Sequence, residues 1–254
     1  ADSAVAENGI GQFEINLMPS DDPLKAADDA LFFKRIIKGV ARKHGFAATF
    51  MAKPYGMRSG SGMHMHFSLV DEDGNNVFDN DTPEGSDIMK HAVAGLTRGM
   101  AESTLLFAPH FNSYRRLRPD THAPTSVSWG YENRTAAIRI PGGSNKARRI
   151  EHRVAGADAN PYLVMAGILG AALVGIRNKW EPPAPVSGRA YLSQLPRIPS
   201  EWGSAVTAFE NGSIVSEIFD TDLRSMLIAC KRQEIAGFAE QVTDFEFSAY
   251  LEIV

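Results

Sequence analysis

Three short stretches of this chain alternate with a period of two and put their reactive groups on one parity. They are Met63-His64-Met65-His66-Phe67-Ser68-Leu69, Gln12-Phe13-Glu14-Ile15-Asn16-Leu17 and Arg149-Ile150-Glu151-His152-Arg153-Val154. Successive side chains of a strand point to opposite faces. Read as strands, these stretches send Glu14, His64, His66, Ser68, Arg149, Glu151 and Arg153 off one face, and their apolar partners cover a core on the other. Carboxylate plus imidazole is a ligand set for a divalent metal, and flanking arginines suit phosphate and carboxylate oxygens. The pattern points to metal-assisted phosphoryl chemistry.

The chain has 254 residues, enough for one large domain or two modest ones. Its charged fraction of 22% and hydrophobic fraction of 44% fit an ordinary globular protein. A net charge of −4 does not suggest a nucleic-acid surface. Cys230 is the only cysteine, which excludes an internal disulfide framework and suits a reducing compartment such as the cytoplasm. The longest apolar run, Tyr162 to Ile176, is shorter than the roughly 18 residues of a membrane span and reads as a buried helix. Ala1-Asp2-Ser3 has no signal-peptide features. A candidate ligand sits in a strand as early as Glu14, so the chain is expected to be the C-terminal portion of something longer.

Asp22 and Pro23 open a helix that Gly45 stops. Phe46 to Lys53 reads as a β-like run, and a glycine- and serine-rich loop then leads into the His64 strand. Asp71 to Asn76 is a hairpin turn, and Ser86 caps a helix reaching Phe107. Pro109 to Pro124 has no periodicity but holds Tyr114, Arg115, Arg116, Arg118 and His122, which marks a functional loop. Trp129 to Pro141 reads as one strand, Asn160-Pro161 starts the Gly/Ala-rich helix, and Glu181 to Pro199 is a proline-rich surface segment. Two helices, Ser204–Phe219 and Thr221–Val242, finish the chain. Mixed elements with antiparallel pairing predict an α+β fold, a mainly antiparallel sheet with flanking helices.

Glu7, Glu14, His64 and Glu151 form a candidate set for a magnesium-like or manganese-like ion. No cysteine accompanies them, so a structural zinc site is disfavoured. The plain alternative is a solvated strand face. Arg115, Arg116, Arg134, Arg139, Lys146, Arg148, Arg149 and Arg153 fall within forty residues, a density that calls for anions. A basic face with ion pairs elsewhere in the fold competes with that reading. A nucleic-acid patch also competes, but the basic residues lack interleaved aromatics. His44, His91 and His110 read as surface or helix-face residues, and Cys230 as packing.

Taken together, several motifs resemble glutamine synthetase. They are Gly11 to Ile15, Ala47 to Pro54, Gly60 to His66, Asn112 to Leu117, Asn133 to Pro141, Lys146 to Arg153 and Ala159 to Leu163, in family order across almost the whole chain. The resemblance implies the catalytic domain over residues 1–254, without the family's N-terminal β-grasp domain and first catalytic strands. It implies ATP-dependent phosphorylation of the γ-carboxylate of glutamate, then displacement of phosphate by an amine, with Mg2+ or Mn2+ as cofactor. By motif position Glu7 and Glu14 hold one metal, and His64 and Glu151 the other. Gly60, Arg116 and Arg153 hold glutamate, while His66, Ser68, Arg134, Arg139, Lys146 and Arg149 serve ATP and the transferring phosphoryl group.

Two departures refine the expectation. Ammonia-using members carry a glutamate just before Ala-Pro in the loop after the Asn-Ser-Tyr motif, and here that position is His122. Ser59 stands where the family often has a glutamate-binding asparagine. Both departures resemble the γ-glutamylpolyamine synthetase branch, which implies putrescine or a similar amine in place of ammonia. An ordinary glutamine synthetase and a non-catalytic relative are the other readings. The family builds its active site between subunits of a ring, so a homo-oligomer is expected at full length, with no nucleic-acid or membrane partner. The chain alone is expected to be nearly inactive, with unpaired edges and apolar surface that favour association.

Overall fold

The computed structural model describes residues 1–119 and 121–253; Asp120, in the arginine-bearing loop, lies outside the described residues. Strands β1 (Ser3–Ala6) and β2 (Phe13–Asn16) form an antiparallel hairpin. Helix α1 (Pro23–Lys43) begins as its sequence dictates: the Asp22 carboxylate accepts the Leu24 and Lys25 N–H groups, and Gly45 follows the end at φ 75°. Next come β3 (Met65–Phe67), then α2 (Asp87–Phe107), whose Met89 N–H donates to the Ser86 hydroxyl. They are followed by α3 (Phe111–Arg116), β4 (Trp129–Tyr131), β5 (Ile138–Ile140) and β6 (Ile150–His152). Asn160 caps α4 (Pro161–Arg177), and the chain finishes with α5 (Trp202–Asn211), α6 (Ser213–Ile218), α7 (Thr221–Ala239) and α8 (Asp244–Tyr250).

Several sequence expectations are corrected. Residues 46–53 are not a strand: the Lys53 N–H donates to the Asn112 side chain at 2.9 Å, Met51 N–H to Thr49 Oγ1, and no described strand pairs with the run. Pro109 to Pro124 contains α3, whose first turn is tied by His110 and Ser113. Trp129 to Pro141 is two strands, not one. Asn133 breaks it, its side-chain oxygen accepting from Thr135 N–H and its amide donating to the Val186 and Gly188 carbonyls. The first terminal helix breaks at Gly212, where an added Cβ would lie 2.6 Å from Glu102 Oε2, the oxygen that accepts the Ile214 and Val215 N–H groups. Thr243 and Glu246 form a capping box that starts α8 as a separate helix. Cys230 is exposed, not packed.

The larger sheet has the order β3-β6-β5-β4. β6 is antiparallel to β3 and β5, whereas β4 and β5 are parallel. Ile138, Ile140 and Ile150 point inward and join Phe78, Met89, Leu96, Ile168 and Phe209 in one buried cluster. Below the sheet α2 and α4 meet almost backbone to backbone, because Gly95 and Gly175 face each other: a Cβ on Gly95 would lie 2.0 Å from the Ala171 carbonyl oxygen.

The β1–β2 hairpin departs from the expectation that its apolar parity covers a core. Phe13 is 72% exposed, and the outer residues of α1, Leu31, Phe32, Ile36 and Val40, are also exposed. The hairpin is a two-stranded sheet of its own. Its tip is anchored by Gln12, whose amide donates to the Gly60 carbonyl at 2.9 Å.

Candidate active site

Strand register builds the centre of the site. His66 pairs with Glu151, and Glu151 with Arg139, so the three side chains stand in a row on one face of the sheet. Exposure alternates residue by residue through 63–69, with His64, His66 and Ser68 on the open side. The third stretch differs from a solvated face: Glu151 and Arg153 are buried, and His152 sits in the core against the Phe107 ring at 4.6 Å.

Glu151 is the hub. It accepts from Arg153 Nη1 at 2.6 Å and Arg139 Nη1 at 3.0 Å, with His64 Nδ1 at 3.4 Å and His66 Nε2 at 3.8 Å. Burial pushes its carboxyl up, but His64, Arg153 and His66 outweigh it and hold Glu151 well below the usual carboxylate range. His64 is pushed down chiefly by burial, with Arg153 and Arg116 adding to it and Glu151 opposing. His66 is likewise pushed down by burial, against Glu151, and its Nδ1 accepts from Arg149 Nε at 3.2 Å. Arg139 Nε and Arg153 Nε are buried without a hydrogen-bond partner. The basic cluster around them suits an anionic ligand.

Arg116 is buried and donates to the Val154 carbonyl at 2.7 Å and the Arg153 carbonyl at 3.3 Å, and burial lowers it to about 10. Gly60 lies against it: a Cβ there would fall 2.9 Å from Arg116 Cγ and 2.7 Å from the Ala52 carbonyl oxygen. The loop needs that bare backbone. Glu14 is raised by burial, by the charge of Glu7 and a side-chain hydrogen bond with it, and by Glu151, with Arg134 opposing. Glu7 and Glu14 are thus brought together, near Arg134 and Glu151.

Ser68, Lys146 and His122 make no side-chain hydrogen bond or ion pair among the described residues. His122 is exposed with φ 61°. Arg148, counted with the anion-binding arginines from sequence, is a strut: it donates to the Pro83, Thr82 and Asn145 oxygens. Sequence reasoning missed two supports. Gln12 ties the hairpin to the Gly60 loop. His110, placed on the surface with no context, has Nδ1 3.0 Å from Asp158 Oδ2, which also accepts the Ser113 hydroxyl; together they fix the start of α3, which carries Arg116. A histidine beside an Asn-Ser-Tyr run was the available signal.

The donor chemistry suits hard divalent cations, because the Glu14 carboxyl, raised by burial and by the charge of Glu7, is relieved by a cation beside it. No three His, Cys, Asp or Glu side chains among the described residues converge as a complete ligand set.

Residues 1–250 match the family of glutamine synthetase catalytic domains, and the chain belongs to that family. It is 42% identical over 252 residues to γ-glutamylputrescine synthetase PuuA of Escherichia coli (strain K12), across 99% of this chain and 53% of the relative. It is 43% identical over 267 residues to a glutamine synthetase of Thermococcus kodakarensis, across 97% of this chain and 59% of that protein. A solved structure, a GmaS/ADP complex, superposes with a TM-score of 0.90 at 32% identity, covering 98% of this chain and 59% of that one. The chain spans about half the length of the E. coli relative it matches.

Proposed function

We propose that this chain is the catalytic portion of an ATP-dependent glutamate–amine ligase acting on putrescine or a similar amine. The carrying observation is the row His66, Glu151 and Arg139 with Arg153 beside it, where two guanidinium groups converge on one buried carboxylate next to the open face of His64 and His66. A γ-carboxylate oxygen of glutamate attacks the γ-phosphorus of ATP, and ADP leaves. The amine nitrogen then attacks the acyl carbon, loses a proton, and phosphate departs. In such transfers the protein supplies mainly position and positive charge.

Arg139, Arg134, Lys146 and Arg149 serve the nucleotide and the moving phosphoryl group, with His66 and Ser68 on the same open face. Arg116, Arg153 and the bare backbone of Gly60 receive glutamate. Glu7 with Glu14, and His64 with Glu151, would hold magnesium or manganese ions, which when bound neutralise phosphate charge. The superposable ADP complex supports the nucleotide assignment. PuuA supports the amine, and His122, in place of the family's glutamate, favours a larger amine over ammonia. The full protein would work as a homo-oligomeric ring in the cytoplasm. No helix among the described residues is long and apolar enough to cross a membrane.

The test is phosphate release from ATP by the complete protein with magnesium and glutamate, comparing putrescine, other amines and ammonia. Putrescine-dependent release supports the reading. Release with ammonia alone makes it a glutamine synthetase, and no release with any amine makes it a non-catalytic relative.

A further inference from the structure

Glu132 stands outside every role assigned above, yet its geometry is specific. Its backbone has φ 51°, a left-handed conformation that side chains with a Cβ rarely adopt. Such a conformation persists at a non-glycine residue when its surroundings hold it there. The surroundings here are the side chain's own partners. The carboxylate accepts from Arg139 Nη2 at 3.3 Å on both oxygens, and from the Gly142 N–H. Gly142 makes room for it: a Cβ on that residue would lie 3.2 Å from Glu132 Cδ. The Glu132 N–H donates in turn to the Ile140 carbonyl at 3.0 Å.

Arg139 is therefore held from two sides. Nη1 is on buried Glu151 at 3.0 Å, and Nη2 is on Glu132, whose side chain is 59% exposed. Its Nε is buried and has no hydrogen-bond partner. The Glu132 contact fixes the rotation of the guanidinium plane, which Glu151 alone, through one nitrogen, does not. It also clips the Gly142-Gly143 turn, three residues before Lys146, to the same point.

We propose that Glu132 is a positioning residue for Arg139, setting its guanidinium plane for the nucleotide phosphates and locking the turn that leads to Lys146. The assignment of Arg139 to phosphate rests on the function proposed above. Glu132 itself touches no reacting atom and acts through its neighbours.

The test uses the complete protein, with nucleotide binding by calorimetry and amine-dependent phosphate release as separate readouts. Glu132→Gln keeps an acceptor for Gly142 but removes the negative charge that faces Arg139. It is expected to lower nucleotide affinity and kcat/KM for ATP by about tenfold, leaving the KM for glutamate within about twofold. Glu132→Asp, which keeps the carboxylate and suits a left-handed backbone, is expected to recover most of the loss. In an Arg139→Lys background the same Glu132→Gln change is expected to cost less than about twofold, because residues acting through one another are not additive. Equal losses in both backgrounds, unchanged nucleotide affinity, or a fall in thermal stability with glutamate and ATP affected alike would each overturn the proposal. A wild-type protein that binds nucleotide but releases no phosphate defeats the ligase reading and leaves Glu132 to be decided by calorimetry. One that binds no nucleotide defeats both.

Discussion

Arg153 Nη1 donates to Glu151 Oε1 at 2.6 Å, and the two side chains are only 8% and 3% exposed. Glu151 accepts Arg139 Nη1 on its other oxygen. One buried carboxylate thus compensates two guanidinium groups. Removing one partner of a buried pair leaves a charge without compensation, at a cost of about 3 kcal/mol or more. Glu151→Gln is expected to destabilise the chain by about that amount in urea denaturation without divalent metal. A loss below about 0.5 kcal/mol would show that Arg139 and Arg153 find other partners.

Acid should destabilise this chain from near neutrality, because it buries neutral imidazole. His152 is pushed down to about 3 by burial, with His64 adding to it, and its Nδ1 has no partner. The folded pKa lies below the unfolded one, so between them the unfolded chain binds more protons. Stability therefore rises with pH across that window and is lost as pH falls from about 6.5 toward 3. His64 and His66 are lowered as well and act in the same direction. Glu151 adds a second loss lower down, as pH falls below the ordinary carboxylate range toward its depressed folded value. Replacing His152 with Leu is expected to remove up to about 1.4 kcal/mol per pH unit from the upper slope, read by denaturation at several pH values with a chelator present. An unchanged slope would mean that His152 is not the buried titrating group.

The crossing of α2 and α4 has no slack at Gly95. A Cβ there would sit 2.0 Å from the Ala171 carbonyl oxygen and 2.8 Å from Gly175 N. These are backbone atoms of a helix and cannot rotate away. Gly95→Ala is expected to cost about 2 kcal/mol or more, although alanine is the better helix former, because the helices must separate. Gly39 of α1 has nothing within 4 Å of its added Cβ, so Gly39→Ala serves as the control and is expected to stabilise slightly. Comparable unfolding midpoints for the two variants would count against the close crossing.

The sequence made the reactive row legible because period two is a local property. His66 and Glu151 share a face through register, and each lies on the parity that its own stretch announces. Helix starts were legible for the same reason, since Asp22, Ser86 and Asn160 cap locally. What failed depends on contacts distant in sequence. The Phe46–Lys53 run has strand composition but no described strand beside it. The break at Gly212 is set by Glu102, far away in the chain. Arg148 and Arg149 look alike in sequence, but one supports the 82–83 carbonyls and the other reaches His66. The roles of His110 and Gln12 likewise required knowing that Asp158 and Gly60 lie opposite them.

The proposed preference for a larger amine rests on His122. It is exposed on the loop after α3, with φ 61°, and stands where ammonia-using members of the family carry a glutamate. A carboxylate attracts and orients a small cation, whereas an imidazole, which offers no negative charge, does so weakly. His122→Glu in the complete protein is therefore expected to shift the ratio of kcat/KM for ammonia over putrescine upward by about tenfold, a difference of about 1.4 kcal/mol in transition-state binding. The left-handed backbone tolerates glutamate less well than histidine, so a stability loss of about 1 kcal/mol accompanies it. His122→Asn suits that backbone and adds no charge, and it separates the two effects: it is expected to leave the ammonia-to-putrescine ratio within about twofold of wild type. If His122→Glu leaves the ratio unchanged while turnover persists, amine choice resides elsewhere in the site and this loop position loses its assigned role.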